Sequence, residues 1–360
     1  MKWIVPAFVI ATTTPAAADP LRLRADAFTS TAAPAGLLTL EADGEAGRTL
    51  SAEAVVWTAA MPTPGTASGD VLVIALRART PGGGASARLG RFVETLGALR
   101  PVHVDGAAAR ARLPFLFDAE AYAGIPVQPG LGTARTWDWV AGGRIARRIG
   151  DFGSVGIAYA QQRDDGRLES EEFGVDAGAA LGAHDDLGAK LAYDVANPGI
   201  AEASIVASHR RGALRAAAYV GYRAASHLLP ATSLFSVLGD VPAERAGTTL
   251  TWRAAPRLEV GVDLGARRVD SDYAPELVGR ARLWLDARGA SALTGELRRD
   301  GVADSKWTGV RGAARIALPR SCVFATELEL VVPDHDRGLG AAWPWGLVSF
   351  GWDYGGLWSP

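Results

Sequence analysis

Of its 360 residues the chain spends one on cysteine, three on lysine and five on histidine, and each scarcity excludes something. A lone cysteine, Cys322, rules out an internal disulfide and so a bridge-stapled secreted fold. It also lies far from the N-terminal segment, which argues against a lipoprotein anchor and leaves it the part of a small apolar strand residue. The histidines (His103, His184, His209, His227 and His335) fall among turns and loops without metal-ligand spacing, so no metal site is expected. There is no G-x-S-x-G elbow, H-E-x-x-H helix, Walker loop or dinucleotide fingerprint, and no cofactor is implied. Ser208-His209 and Ser226-His227 supply no catalytic pair, because neighbours on a strand point to opposite faces. An enzyme is therefore not expected, although a Ser/His/acid set gathered from separate strands would escape sequence reading. With 37 basic and 39 acidic residues the net charge is −2, which gives no reason to invoke nucleic acid or a polybasic membrane patch. Lysine is confined to Lys2, Lys190 and Lys306, so arginine carries the positive charge. That bias, with the abundant alanine, fits a GC-rich genome as well as any physical cause.

Long apolar runs are missing too. Beyond the N-terminus every such run is broken within a few residues by Arg, Asp or Gly, far short of the roughly 20 residues of a spanning helix. A membrane location would then require closed strands, since only helices and closed barrels satisfy all backbone groups in lipid. The N-terminus itself has the three parts of an export signal in order: Lys2, the apolar Trp3 to Ala11, and a small-residue stretch ending with Ala16 and Ala18. Residues 1–18 are expected to be a signal peptide cleaved before Asp19, and 19–360 one domain, with less regular strands over 19–134 and regular up-and-down strands over 135–355.

What is abundant is alternation. Phe173, Val175, Ala177, Ala179 and Leu181 oppose Gly174, Asp176, Gly178, Ala180 and Gly182; Leu187, Leu191, Tyr193 and Val195 oppose Lys190, Asp194 and small residues. The same period of two runs through Leu258 to Gly265 and Val310 to Ile316, and it is the signature of strands, not helices. Tight links near Gly150-Asp151, His184 to Asp186, Arg210 to Gly212, Ala255-Pro256, Arg288-Gly289 and Pro319-Arg320 alternate with longer ones. The longest is Ala224 to Glu244, followed by Val269 to Glu276, Asp300 to Ser305 and Pro333 to Trp343. Short turns paired with long loops are the mark of a transmembrane barrel, with the turns on the periplasmic side. About twelve strands are counted from Trp137 to Tyr354. Candidates at Leu21–Phe28, Leu50–Thr58, Val71–Arg79 and a segment or two between Ala87 and Gly124 bring the expectation to about 16, within 14–18.

One face of each strand carries Leu, Val, Ala and occasional aromatics; the other mixes Gly, Ala and Ser with Arg, Asp and Glu, which suits a crowded lumen better than a face in bulk water. Trp137, Trp139, Tyr159, Tyr193, Tyr222, Trp252, Trp307, Trp352 and Tyr354 cluster near strand ends, as interface girdles do. Closure would remove the two exposed edges of so large a sheet. The whole chain after the signal thus resembles bacterial outer-membrane β-barrel proteins of the porin-like kind. Locally, Arg88-Leu89-Gly90-Arg91-Phe92 followed by His103-Val104-Asp105-Gly106 is similar to the R-x-G-R-Q strand and downstream D-G turn of some of them, with Phe92 in place of Gln. The resemblance implies passage of solute across the outer membrane. Such proteins often end on an aromatic residue, whereas this chain ends Leu357-Trp358-Ser359-Pro360, leaving open a degenerate signal or a missing closing strand.

The expected inward face gathers Arg215, Arg223, Arg245, Arg253, Arg267, Arg280, Arg282, Arg298, Arg311 and Arg315 with Asp176, Asp194, Glu202, Glu259, Asp263, Asp286, Glu296, Glu327 and Glu329. Two readings stay open: a charged constriction that selects solutes, or Arg–carboxylate pairs bracing strand against strand. Asp334-His335-Asp336 and Asp164-Asp165-Gly166 read as solvated turn acids. The apolar stretch Leu228 to Phe235 could fold inward as a plug, meet a partner at the cell surface, or form another strand. The expectation is an all-β outer-membrane barrel, with the lipid bilayer and small polar solutes as its partners and no nucleic acid. A passive pore leads; a non-conducting scaffold with a packed lumen and, behind it, a barrel-embedded hydrolase are the alternatives.

Overall fold

The computed structural model describes residues 22–30, 36–46, 49–60, 67–127, 138–224, 243–269, 272–301, 306–319, 322–334 and 342–353. These form 20 strands. The first seven are β1 (Arg22–Ser30), β2 (Gly36–Ala46), β3 (Leu50–Ala60), β4 (Ala67–Arg79), β5 (Ala85–Glu94), β6 (Val102–Leu113) and β7 (Phe117–Pro126). The next seven are β8 (Trp139–Ile149), β9 (Gly153–Asp164), β10 (Arg167–Ala180), β11 (Asp185–Asp194), β12 (Gly199–Arg211), β13 (Leu214–Arg223) and β14 (Ala243–Ala255). The last six are β15 (Leu258–Val269), β16 (Asp272–Trp284), β17 (Ala292–Asp300), β18 (Trp307–Leu318), β19 (Cys322–Pro333) and β20 (Trp343–Asp353).

Every strand is antiparallel to its sequence neighbour, and β1 pairs both with β2 and with β20, from Arg22 opposite Asp353 to Ser30 opposite Trp345. The hydrogen-bonded ladder therefore runs round into a barrel in which each strand has a partner on both sides. With β20 paired to β1, the described strands close on each other without another between them.

The expected 16 strands become 20. The C-terminal part holds one strand more than the alternation suggested, and β2, β6 and β7 account for much of the rest. In β6, Val-His-Val-Asp-Gly-Ala-Ala-Ala-Arg-Ala-Arg-Leu, alanine occupies both faces, so the residues that should differ do not. In β2 the alternation holds only from Leu38 to Ala42 before glycine and acidic residues take over. Links between strands alternate as the sequence indicates: short ones join β8 to β9, β12 to β13 and β14 to β15 at one end, and the longer ones join β7 to β8, β13 to β14 and β19 to β20 from strand ends at the other. The former are called the turn end below, the latter the loop end. The stretch Leu228 to Phe235, the proposed signal peptide, Trp137 and Tyr354 lie outside the described residues.

The faces separate by period two. Ile74, Leu89, Ile157, Ile205, Val220, Leu264, Val310 and Leu328 are each more than half exposed, on one face. Charged partners such as Arg311 and Glu329, or Glu296 and Arg280, sit opposite each other on the other. Soluble monomers rarely expose contiguous apolar patches beyond a few hundred Å². The turn between β16 and β17 is set by Asp286, whose carboxylate accepts the backbone N–H groups of Ser291, Ala290 and Arg288 at 2.5, 3.1 and 2.9 Å. Asp286 is thus a turn residue and not one of the inward carboxylates. The Ser291 amide foremost, then the other donors, hold its pKa below the usual range. A lowered folded pKa means that the turn's extra stability is present above the unfolded carboxylate pKa and is lost as pH falls through the folded one. Asp286→Ala is expected to speed hydrogen exchange of the Ser291 amide at neutral pH, with the native protein converging on the variant in acid.

Candidate functional site

Cross-strand register places all the sequence-predicted charges of β10–β19 on one face, and that face is the inside of the ring. Within β16–β19, Glu296 accepts from Arg280 at 2.5 Å, Arg298 at 2.6 Å and Arg311 at 3.2 Å. Arg311 continues to Glu327, and Arg298 to Glu329 at 3.7 Å. Glu296 and Glu329 are buried by these partners. Arg267 joins Glu276 (3.1 Å) to Asp300 (2.7 Å). Glu202 takes Lys190 and, at 3.6 Å, Arg223. Asp263 is held by hydroxyls, Tyr219 at 3.2 Å and Thr249 at 3.1 Å. Asp194 accepts the backbone N–H of Asn197 at 2.8 Å, so it fastens the β11–β12 link. These groups brace the wall.

Others are not used up. Arg215, Arg245, Arg282 and Arg315 make no ion pair among the described residues, nor does Glu259. Arg253 donates to the Pro256 carbonyl at 3.1 Å and lies 5.1 Å from the Trp284 ring. Arg215, Arg253 and Arg282 line, with Glu259, Thr251 and Trp284, a cavity of about 360 Å³ at the turn end.

The sequence reading missed one interior feature of the described residues. Residues 95–101, between β5 and β6, do not project from the loop end but turn inward and pack on the wall. Leu96 and Leu99 join Phe92, Val104, Tyr122, Val140 and Ala158 in one buried apolar cluster, with Phe92 and Val104 at 0% exposure. Ala98 packs with Ala192 of β11 and Ala201 of β12. Arg100 Nε lies 3.1 Å from Glu172 of β10. A link that leaves β5, touches β7 to β12 and returns to β6 beside β5 has to lie on the concave side of the sheet. Glycine permits it: Gly97 has φ +56°, and a Cβ there would run into Asp176 and Arg144. Arg144 itself ties Glu120 (3.1 Å) to Asp176 (2.5 Å).

The R-L-G-R-F stretch and the downstream Asp105-Gly106 pair flank this segment. Arg88 pairs with Glu53 and stacks 4.7 Å over Phe92. Gly90 has φ +126°, a conformation that lets the chain come close against the Ile74 carbonyl. Arg91 makes a bidentate pair with Asp105 (2.7 and 2.9 Å) and reaches Asp70 at 3.1 Å. His103 meets the carbonyl of Leu72, the extra residue of a bulge in β4, at 2.5 Å. The motif residues thus anchor both roots of the inward segment.

Among the aromatics, Trp139, Tyr159, Tyr193, Tyr222 and Trp252 are exposed on the apolar face. Trp307 is a correction: it shares a face with Asp300 and Arg311, and its ring lies beside Gly309 on the inside. Its place at the start of a strand suggested a girdle, but one residue of register decides the face. Trp352 lies in β20 opposite Cys322.

No protein-family model matches the sequence, and no curated protein does. Solved structures do match in shape. Over 93% of this chain and 98% of the other it is similar to a BenF-like porin from Pseudomonas fluorescens Pf-5, at 10% identity and a TM-score of 0.53. Over 93% and 97% it is similar to OccK5 (OpdH) of Pseudomonas aeruginosa at 8% identity and to OccK2 (OpdF) of the same species at 10%, both with a TM-score of 0.51. The chain has a porin-like β-barrel fold.

Proposed function

We propose that the protein is an outer-membrane barrel that passes small polar solutes passively, exported by a signal cleaved before Asp19. The observation that carries this reading is the inversion of the two faces: Leu, Ile and Val exposed around the outside, arginines and carboxylates enclosed within. Lipid on the outside satisfies the first and water in the lumen the second. The outward aromatics near strand ends fit the headgroup level. Nothing in this arrangement calls for catalysis. Register puts Ser208 on the inner face and His209, with Asp185 at 2.7 Å, on the outer one.

The sign of the solute follows from what the braces leave over. In β13–β18 the inner carboxylates Glu276, Glu296 and Asp300 are paired with arginine, and outside any ion pair among the described residues Arg215, Arg245, Arg253, Arg282 and Arg315 stand against Glu259, Asp263 and Asp272. A lumen with that remainder favours anions. Vesicles carrying the refolded protein are expected to release a small organic anion faster than an equally sized cation, with the difference shrinking at high salt. Equal rates for both would refute the sign. The second reading, a closed scaffold, draws on the packing of residues 95–101 against β7–β12; release of neither solute from vesicles with folded barrels would favour it.

A further inference from the structure

We infer that the interior is divided, with a dry sealed side where residues 95–101 lie against β7–β12 and a water path outside that seal, where Arg245 of β14 lines it. The inference deepens the pore reading, and its labelling arm stands independently of conductance. On the first side the inward residues beside residues 95–101 are buried: Tyr122, Val140, Ala158, Ala192 and Ala201 are each 5% exposed or less, covered by Leu96, Ala98 and Leu99. Charges there are spent, Asp176 on Arg144 and Glu172 on Arg100. The seal is apolar at its centre and ion-paired at its rim, which leaves no route for a hydrated solute.

On the second side the same face carries exposed arginines, Arg215, Arg245, Arg253 and Arg282. The row of inner residues that begins at Asp176 beside Gly97 continues through Lys190, Ser204 and Gly221 to Arg245 and Arg267. Arg245 is the exposed member of this row, and Arg267 beyond it is covered again at 14% exposure. Its row neighbour on one side is Gly221, which has no side chain, and on the other Arg267, whose charge is taken by Glu276 and Asp300. Arg245 thus presents a guanidinium to the lumen with no carboxylate against it among the described residues. Solute discrimination then rests on Arg245 and not on Asp176 or Asp194, which the sequence had grouped with it.

The test uses single cysteines in a Cys322→Ala background: Arg245→Cys on the open side, Ala158→Cys and Ala192→Cys on the sealed side. The probe is a small sulfonated methanethiosulfonate. The protein thiolate attacks its sulfenyl sulfur, a mixed disulfide forms, and methanesulfinate leaves. Mass spectrometry of folded, membrane-inserted protein is expected to show Arg245→Cys modified at least about tenfold faster than either alanine variant, whose thiols react only through local opening. In bilayers the added sulfonate at 245 is expected to lower anion current, with no change at 158 or 192. Modification of 158 or 192 as fast as 245 would overturn the sealed side, and protection of 245 would overturn the open one. The expected labelling pattern without current in any variant would uphold the division and refute the pore.

Discussion

Replacing residues 95–101 by an Asn-Gly turn is expected to raise unitary conductance about twofold or more, since it removes material that spans several strands inside a wide barrel. The excision is geometrically clean. Glu94 and Val102 are directly opposed across β5 and β6, so a two-residue hairpin joins them without disturbing either strand. What is lost is the cover over Tyr122, Val140, Ala158 and Ala192. Leu96 and Leu99 are almost wholly buried, and each side chain of that kind is worth roughly 1.5–3 kcal/mol of burial. The variant barrel is therefore less stable but wider. Gly97→Val is the milder form of the same experiment. A β-branched residue at φ +56° is strained, and its side chain would have to displace Asp176 and Arg144. Its expected signature is a flickering current with excursions above the native level. A smaller unitary current from the shortened variant would mean that the segment does not occupy the conducting cross-section.

Arg144→Met is expected to cost about 3–5 kcal/mol of stability, because it leaves Asp176 in a buried setting without its guanidinium and Glu120 with only the exposed Arg110. Glu120 and Asp176 contact the guanidinium at 3.1 and 2.5 Å, and Arg144 is 14% exposed. Arg110 also reaches Glu120, but it is 65% exposed. Arg110→Met should accordingly cost under about 1 kcal/mol, the range of surface pairs. Denaturant unfolding of the barrel in detergent distinguishes these values. If the charge alone mattered, Arg144→Lys would restore the loss; an ammonium cannot make the bidentate contact to Asp176, so recovery is expected to be incomplete. Replacing Glu120 and Asp176 by leucine together with Arg144→Met should recover much of the stability, as buried ion pairs often yield to apolar substitutes.

How far the sequence could be read follows from the physics of each part. Regular strands such as β10, β11 and β15 were legible because a lumen and an apolar exterior impose opposite requirements on alternate residues. The inner face of Arg280, Glu296 and Arg311 was legible for the same reason. Strand β6 was obscured by alanine on both faces, and β2 by its glycine and acidic residues. Trp307 was misplaced because proximity to a strand end says nothing about register. The inward segment was the least legible part. Thr-Leu-Gly-Ala-Leu-Arg-Pro reads as an ordinary link, and only partners distant in sequence, such as Glu172 and Ala192, give it a place. Whether a charge is a brace or a free group was equally unreadable, since that depends on which rotamers meet across strands. Arg311 and Arg245 look alike in sequence; one is bound to Glu296 and Glu327, and the other faces the lumen.

A water-filled, anion-preferring lumen is tested by single-channel recording of the refolded protein in a planar bilayer under a salt gradient. Steady unitary steps whose reversal potential favours anions, with that preference falling in Arg245→Ala, are the predicted result. Silence from protein shown to be folded and inserted would contradict it.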